Sequence, residues 1–153
     1  MLTYVLIHGA GSTRQAWDPV TAHLRHPFLA VDLPGRNDKP GDLDTVTVRD
    51  FAASVVDDMD AQGIGSAVIV GHSLAGLTLV TLAGPIPERI AHLVFVNSVV
   101  PPDTQRHSIA NLTGCGCPVN VIGIEAGHMV TRNRLEELAR LLDAVAPPGV
   151  AAS

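Results

Sequence analysis

Five short, near-continuous apolar runs, separated by longer stretches with helical periodicity, constrain this chain more than any other feature. The runs cover residues 3–7, 28–32, 67–70, 93–96 and 119–124. They are rich in β-branched residues and show no polar alternation, the pattern of strands buried on both faces of a parallel sheet. Parallel neighbours need crossover segments, and right-handed crossovers lay helices on both faces of the sheet. The expected fold class is therefore α/β, a three-layer open parallel sheet of about five strands with about four helices.

The helical segments carry end signals. Thr47 followed by Asp50 makes a cap-like start, Val48, Phe51, Val55 and Met59 share one face, and Gly63 closes the helix. Residues 131–145 place Leu135, Leu138, Leu142 and Val145 on one stripe, with Glu136 and Arg140 spaced for an i,i+4 pair on the outside. A third helix is expected over 14–24 and a fourth begins at Ser73. No internal repeat or linker interrupts residues 1–146, which read as one domain, and 147–153 (PPGVAAS) read as a flexible tail.

Composition removes several function classes. Of the 153 residues, 46% are hydrophobic and 16% charged, which is enough apolar mass for a core. A net charge of −5 with only 10 unclustered Lys and Arg argues against a nucleic-acid partner. No apolar run approaches the roughly 20 residues that cross a bilayer, and the first seven residues carry no basic start or cleavage site, so a cytoplasmic protein with no membrane association is expected. Cys115 and Cys117 are too close for a relaxed disulfide and have no second ligand pair, so they read as free thiols, and no metal or organic cofactor is expected.

In an open parallel sheet ligands bind beyond the carboxyl ends of the strands. There the third run ends in Gly71-His72-Ser73-Leu74-Ala75-Gly76 and passes directly into helical periodicity. A serine on so tight a strand-to-helix turn is forced into a strained conformation that lifts its Oγ off the sheet, with small neighbours preventing a clash. The same turn sets Ser73 at the positive end of a helix and frees the Leu74 N–H to donate to an oxyanion. The first run ends in His8-Gly9-Ala10-Gly11, where Ala10 is placed to supply the second donor and His8 reads as structural. The competing reading makes Ser73 a helix cap and the glycines ordinary turn residues.

A serine hydroxyl needs a base that titrates near neutrality. Of seven histidines, His128 alone follows both a strand and a glycine, just before a helix. His23, His26, His92 and His107 read as packing or surface residues, and His72 points away from Ser73.

The order His-Gly-Ala-Gly, Gly-His-Ser-Leu-Ala-Gly, Ala-Gly-His resembles the α/β-hydrolase superfamily, closest in look to its small esterase, hydroxynitrile lyase and plant methylesterase group. Val5 to Ala10 with Trp17 downstream, Ala30-Val31-Asp32-Leu33-Pro34-Gly35, and Leu93 to Val96 before Pro101-Pro102-Asp103 share that likeness, which runs from Tyr4 to about Leu142. It implies Ser73 as nucleophile, His128 as general base, and the Ala10 and Leu74 amides as oxyanion hole. Ala75 stands where the elbow usually has its second glycine.

The resemblance also exposes deletions. Members of the group begin with two further strands, carry a helical lid after the fourth of the present runs, and then use two more strands. Here only residues 102–116 occupy the lid region, too few for several helices at about 1.5 Å per residue. Residues 117–122 and 123–128 read as the start of one strand fused to the end of another, and the segment that bears the family's triad acid is gone. A catalytic imidazole needs a partner on Nδ1. Asp103 is the preferred replacement, Asn97 is a neutral alternative, Glu125, three residues before the histidine, is read as facing elsewhere, and an absent orienter is the remaining alternative.

The expected activity is a lidless serine hydrolase cleaving a small carboxylic ester, thioester or lactone through an acyl-enzyme. Lyase or cyclase chemistry on the same scaffold, or a degenerate module that binds a ligand or partner, are the alternatives. An uncovered apolar site also suggests a homodimer.

Overall fold

The structure, a computed structural model, describes residues 2–99, 118–124 and 134–145. Strands β1 (Thr3–Ile7), β2 (Phe28–Val31), β3 (Ala67–His72), β4 (Ile90–Val96) and β5 (Val119–Ile122) form one sheet in the order β2-β1-β3-β4-β5. Every pairing is parallel. Around it pack α1 (Asp18–Thr21), α2 (Val48–Ala61), α3 (Gly76–Leu82) and α4 (Leu135–Val145). Among the described residues no helix is long and apolar enough to cross a membrane.

The period-2 alternation of the strands builds the three layers. Val5, Ile7, Ile69, Leu93 and Phe95 point to one face, where Val55 and Met59 of α2 and Leu79 and Leu82 of α3 cover them. Their neighbours Tyr4, Leu6, Val68, Val70, Val94 and Val96 point to the other, against Trp17, Val20, Leu138 and Leu142. Each such buried Leu or Val contributes about 1.5–3 kcal/mol over an exposed one. The Tyr4 hydroxyl, buried with its ring, donates to the carbonyl of Leu142 at 2.5 Å and ties β1 to α4.

The helix ends follow the sequence. Thr47 and Asp50 form a full capping box on α2. At the other end Ile64 N–H bonds the Met59 carbonyl at 2.9 Å and Gly63 N–H the Asp60 carbonyl at 3.0 Å, a Schellman closure with Gly63 at φ 65°.

Local details depart from the pattern. The 14–24 segment is a 3-10 turn, Arg14–Trp17, followed by the single α-turn of α1, because Pro19 sits where only a first helical turn accepts it. β4 begins at Ile90, three residues before the apolar run. β5 stops at Ile122, short of the run's end at 124. At the start of α4 an ion pair joins Arg134, the residue before the helix, to Glu137, an i,i+3 contact, and among the described residues Glu136 does not pair with Arg140.

Candidate active site

The turn after β3 has the strain that a nucleophile elbow requires. Ser73 has φ 58°, a left-handed conformation in a non-glycine residue, and it opens a 3-10 turn that runs straight into α3. Such a residue costs of order 1–3 kcal/mol unless its surroundings hold it. Two contacts do. Its carbonyl accepts from the Ser98 hydroxyl at 2.7 Å and from the Val99 N–H at 2.9 Å, both on the segment leaving β4.

The glycines around it are there for space. A β-carbon on Gly71 would fall 2.4 Å from Leu79 Cδ1 and 3.2 Å from Ala75 Cβ, so a larger residue there would have to displace the Leu79 side chain and press on Ala75, whose methyl fits beside the bare Gly71. At Gly76 a β-carbon would sit 1.9 Å from the Val99 carbonyl oxygen. Sequence reading passed over Gly76 and the Ser98–Val99 brace, whose only signal was a glycine one place beyond the usual elbow.

Ala10 and Leu74 face the same hollow, of about 90 Å³, which His8, Gly9 and Ala75 also line. Larger hollows lie elsewhere, about 480 Å³ beside β2 at Arg14 and Gln62 and about 580 Å³ between α2 and α3 at Val56 and Ile86. Leu74 and Val99 are exposed, at 43% and 42%.

His8 is structural, as its position suggested. Its Nε2 accepts from the Leu33 N–H at 3.1 Å, so the ring proton is assigned to Nδ1, which donates to the Gly9 carbonyl at 2.8 Å. The imidazole thereby ties the end of β2 to the Gly9-Ala10 turn. Burial lowers its pKa below the ordinary 6.5, partly offset by the Gly9 carbonyl and the Asp32 carboxylate. His72 is buried with its ring edge-on to Trp17, centroids 6.4 Å apart.

Asp32 is a strand-end anchor. Burial raises its pKa, but the Arg14 N–H at 2.9 Å, the Asn37 amide at 2.9 and 3.0 Å and the Arg14 guanidinium outweigh it and hold the carboxyl below 3.8.

Asn97, the neutral alternative as imidazole partner, has φ 40° and a committed side chain. Its Nδ2 donates to the Ile124 carbonyl at 3.1 Å and its Oδ1 accepts from the Ile124 N–H at 2.9 Å. The Asn97 N–H bonds the Ile122 carbonyl at 3.0 Å. These bonds fix where the chain leaves β5. His128, Asp103, Cys115 and Cys117 lie outside the described residues, as does the 147–153 tail. Among the described residues no cluster of three His, Cys, Asp or Glu side chains is placed to hold a metal.

Comparison with known proteins places the chain in a family. The profile of the alpha/beta hydrolase family matches residues 4–146. An esterase of Mycobacterium tuberculosis is 34% identical over 108 residues, 68% of this chain and 35% of that protein. A norfluorocurarine synthase of Strychnos nux-vomica is 31% identical over 106 residues, 66% of this chain and 40% of that protein. Among solved structures, an extracellular alpha/beta-hydrolase from a Paenibacillus species, described as sharing structural and functional homology with a tobacco salicylic acid binding protein, superposes with a TM-score of 0.60 at 30% identity. It covers 66% of this chain and 42% of its own. The chain thus spans between about a quarter and a half of the length of the curated relatives it matches.

Proposed function

The chain belongs to the alpha/beta hydrolase family, and on that premise we propose that it is a serine hydrolase cleaving a small carboxylic ester, thioester or lactone. The observation that carries this reading is the left-handed Ser73 on the β3–α3 turn, beside a hollow lined by both Ala10 and Leu74.

In the proposed reaction Ser73 Oγ attacks the acyl carbon while His128 takes its proton. The Ala10 and Leu74 N–H groups hold the oxyanion, a donor pair of which each member is commonly worth 10²–10³ in rate. Collapse expels the alcohol or thiol, or frees the ring hydroxyl of a lactone, protonated by His128; water, deprotonated by His128, then attacks the acyl-enzyme, and the acid leaves as the proton returns to Ser73 Oγ. His128 stands four residues beyond the Asn97-held Ile124, a reach of up to about 14 Å. Two strand spacings, about 10 Å, separate the ends of β5 and β3. Asp103 is the proposed partner of His128, because the Asn97 carboxamide is engaged with Ile124.

A hollow of about 90 Å³ is far below the roughly 300 Å³ at which drug-sized ligand sites begin, which supports a short acyl group. A series of 4-nitrophenyl esters tests the reading. Acetate and butyrate should turn over with an initial burst matching the enzyme concentration, octanoate more slowly, and Ser73→Ala with no burst. Absence of turnover across the series would overturn it.

The synthase relative supports a second reading, non-hydrolytic chemistry at the same serine, which product analysis on the same esters separates. The exposed Leu74 and Val99 support a homodimer; a monomer on gel filtration at micromolar concentration would remove it.

A further inference from the structure

One charge at this site has no part in the proposed hydrolytic steps. Arg36, half-buried on the turn after β2, lines the same hollow as Ala10 and Leu74. The neighbouring cations are committed, Arg14 to Asp32 and Lys39 to Asp58. Among the described residues the Arg36 guanidinium makes no ion pair and no side-chain hydrogen bond, and no carboxylate lines the hollow. Leu33, Pro34 and Phe51 supply its apolar wall and Thr78 its hydroxyl. The charge is felt in the site, where it opposes protonation of His8.

A half-withdrawn guanidinium beside apolar walls has lost part of its hydration without gaining a partner among the described residues, and its planar fork matches a carboxylate bidentately. We propose that Arg36 is a specificity-determining residue that receives a free carboxylate on the acyl chain, so that the preferred substrates are hemiesters of short dicarboxylic acids. This inference rests on the hydrolytic reading. It adds the chemical class of the acyl group.

Two measurements on the full chain test it. The first is the ratio of kcat/KM on monomethyl glutarate to that on methyl pentanoate, which should favour the hemiester in the wild type. The ratio should fall about 10- to 100-fold in Arg36→Gln, the loss of a charge-assisted hydrogen bond, and be partly retained in Arg36→Lys. The second is calorimetric binding of glutarate, which needs no turnover and should weaken at least tenfold in Arg36→Gln, with circular dichroism confirming the fold. Turnover of methyl pentanoate with no preference for the hemiester and no Arg36-dependent glutarate binding overturns the inference and leaves the hydrolase standing. Arg36-dependent glutarate binding with neither methyl ester nor any 4-nitrophenyl ester of the series cleaved supports the anion site and overturns the hydrolase. No cleavage of any of these esters together with no Arg36-dependent glutarate binding overturns both.

Discussion

Gly9 lies against Ser73 across neighbouring strand ends so closely that a β-carbon on Gly9 would fall 3.0 Å from Ser73 Cβ and 3.5 Å from its Oγ. Carbon atoms normally meet at about 3.5–4.0 Å. In Gly9→Ala one strand end must therefore shift by a few tenths of an ångström, and the turn that carries Ala10 moves relative to the serine. Catalysis is more sensitive to such a shift than stability is. We expect kcat/KM to fall about 10- to 100-fold, with the unfolding free energy changed by about 1–2 kcal/mol, measured by ester hydrolysis and urea denaturation on the same sample.

Asn97 should report on stability. Replacing it with alanine removes both bonds to Ile124 and leaves a non-glycine residue at φ 40° without a compensating side chain. Two hydrogen bonds at about 1 kcal/mol each and a left-handed cost of about 1 kcal/mol predict a loss of about 2–3 kcal/mol. Asn97→Gly loses the bonds without the conformational cost and should be about 1 kcal/mol milder. Equal urea midpoints for the two variants would show that the backbone there is not strained.

His8 gives a pH dependence of defined sign. Its folded-state pKa is lowered from 6.5, first by burial, so below pH 6.5 the unfolded chain binds the proton more readily than the folded one. Stability from this group is fully present above pH 6.5 and declines as the pH falls from there toward the folded-state value. His8→Gln, which can still accept from Leu33 and donate to Gly9, should flatten that decline between pH 6.5 and 5. The same slope in wild type and variant would remove His8 as its source.

The identity of the third catalytic member is tested by Asp103→Asn. If Asp103 orients His128, the substitution favours the wrong tautomer, and kcat should fall on the order of 10³- to 10⁴-fold with little change in KM. An unchanged kcat means that the imidazole works without a carboxylate partner at that position.

Much of the scaffold was legible in the sequence because its signals are local. The apolar runs mark strands covered on both faces, and the Thr47–Asp50 and Gly63 signals mark a helix whose ends close on their own residues. The Ser73 turn was legible for the same reason, since strain, small neighbours and the following helix all fall within six positions. What stayed hidden depends on contacts between distant segments. Ser98 and Val99 brace Ser73 from the segment after the next strand, Asn97 holds Ile124 from 27 positions away, and among the described residues Asp32 and Asp58 pair with Arg14 and Lys39 rather than with Arg36. Apart from Gly76, one place beyond the usual elbow, none of these leaves a pattern in composition or spacing.

Activation of Ser73 by His128 is tested most directly by the rate at which a fluorophosphonate probe labels the folded chain, with the modified residue located by mass spectrometry. Labelling should fall on Ser73, vanish in Ser73→Ala, and slow by at least 10²-fold in His128→Ala. An unlabelled wild type, or a His128→Ala variant that labels at the wild-type rate, would contradict it.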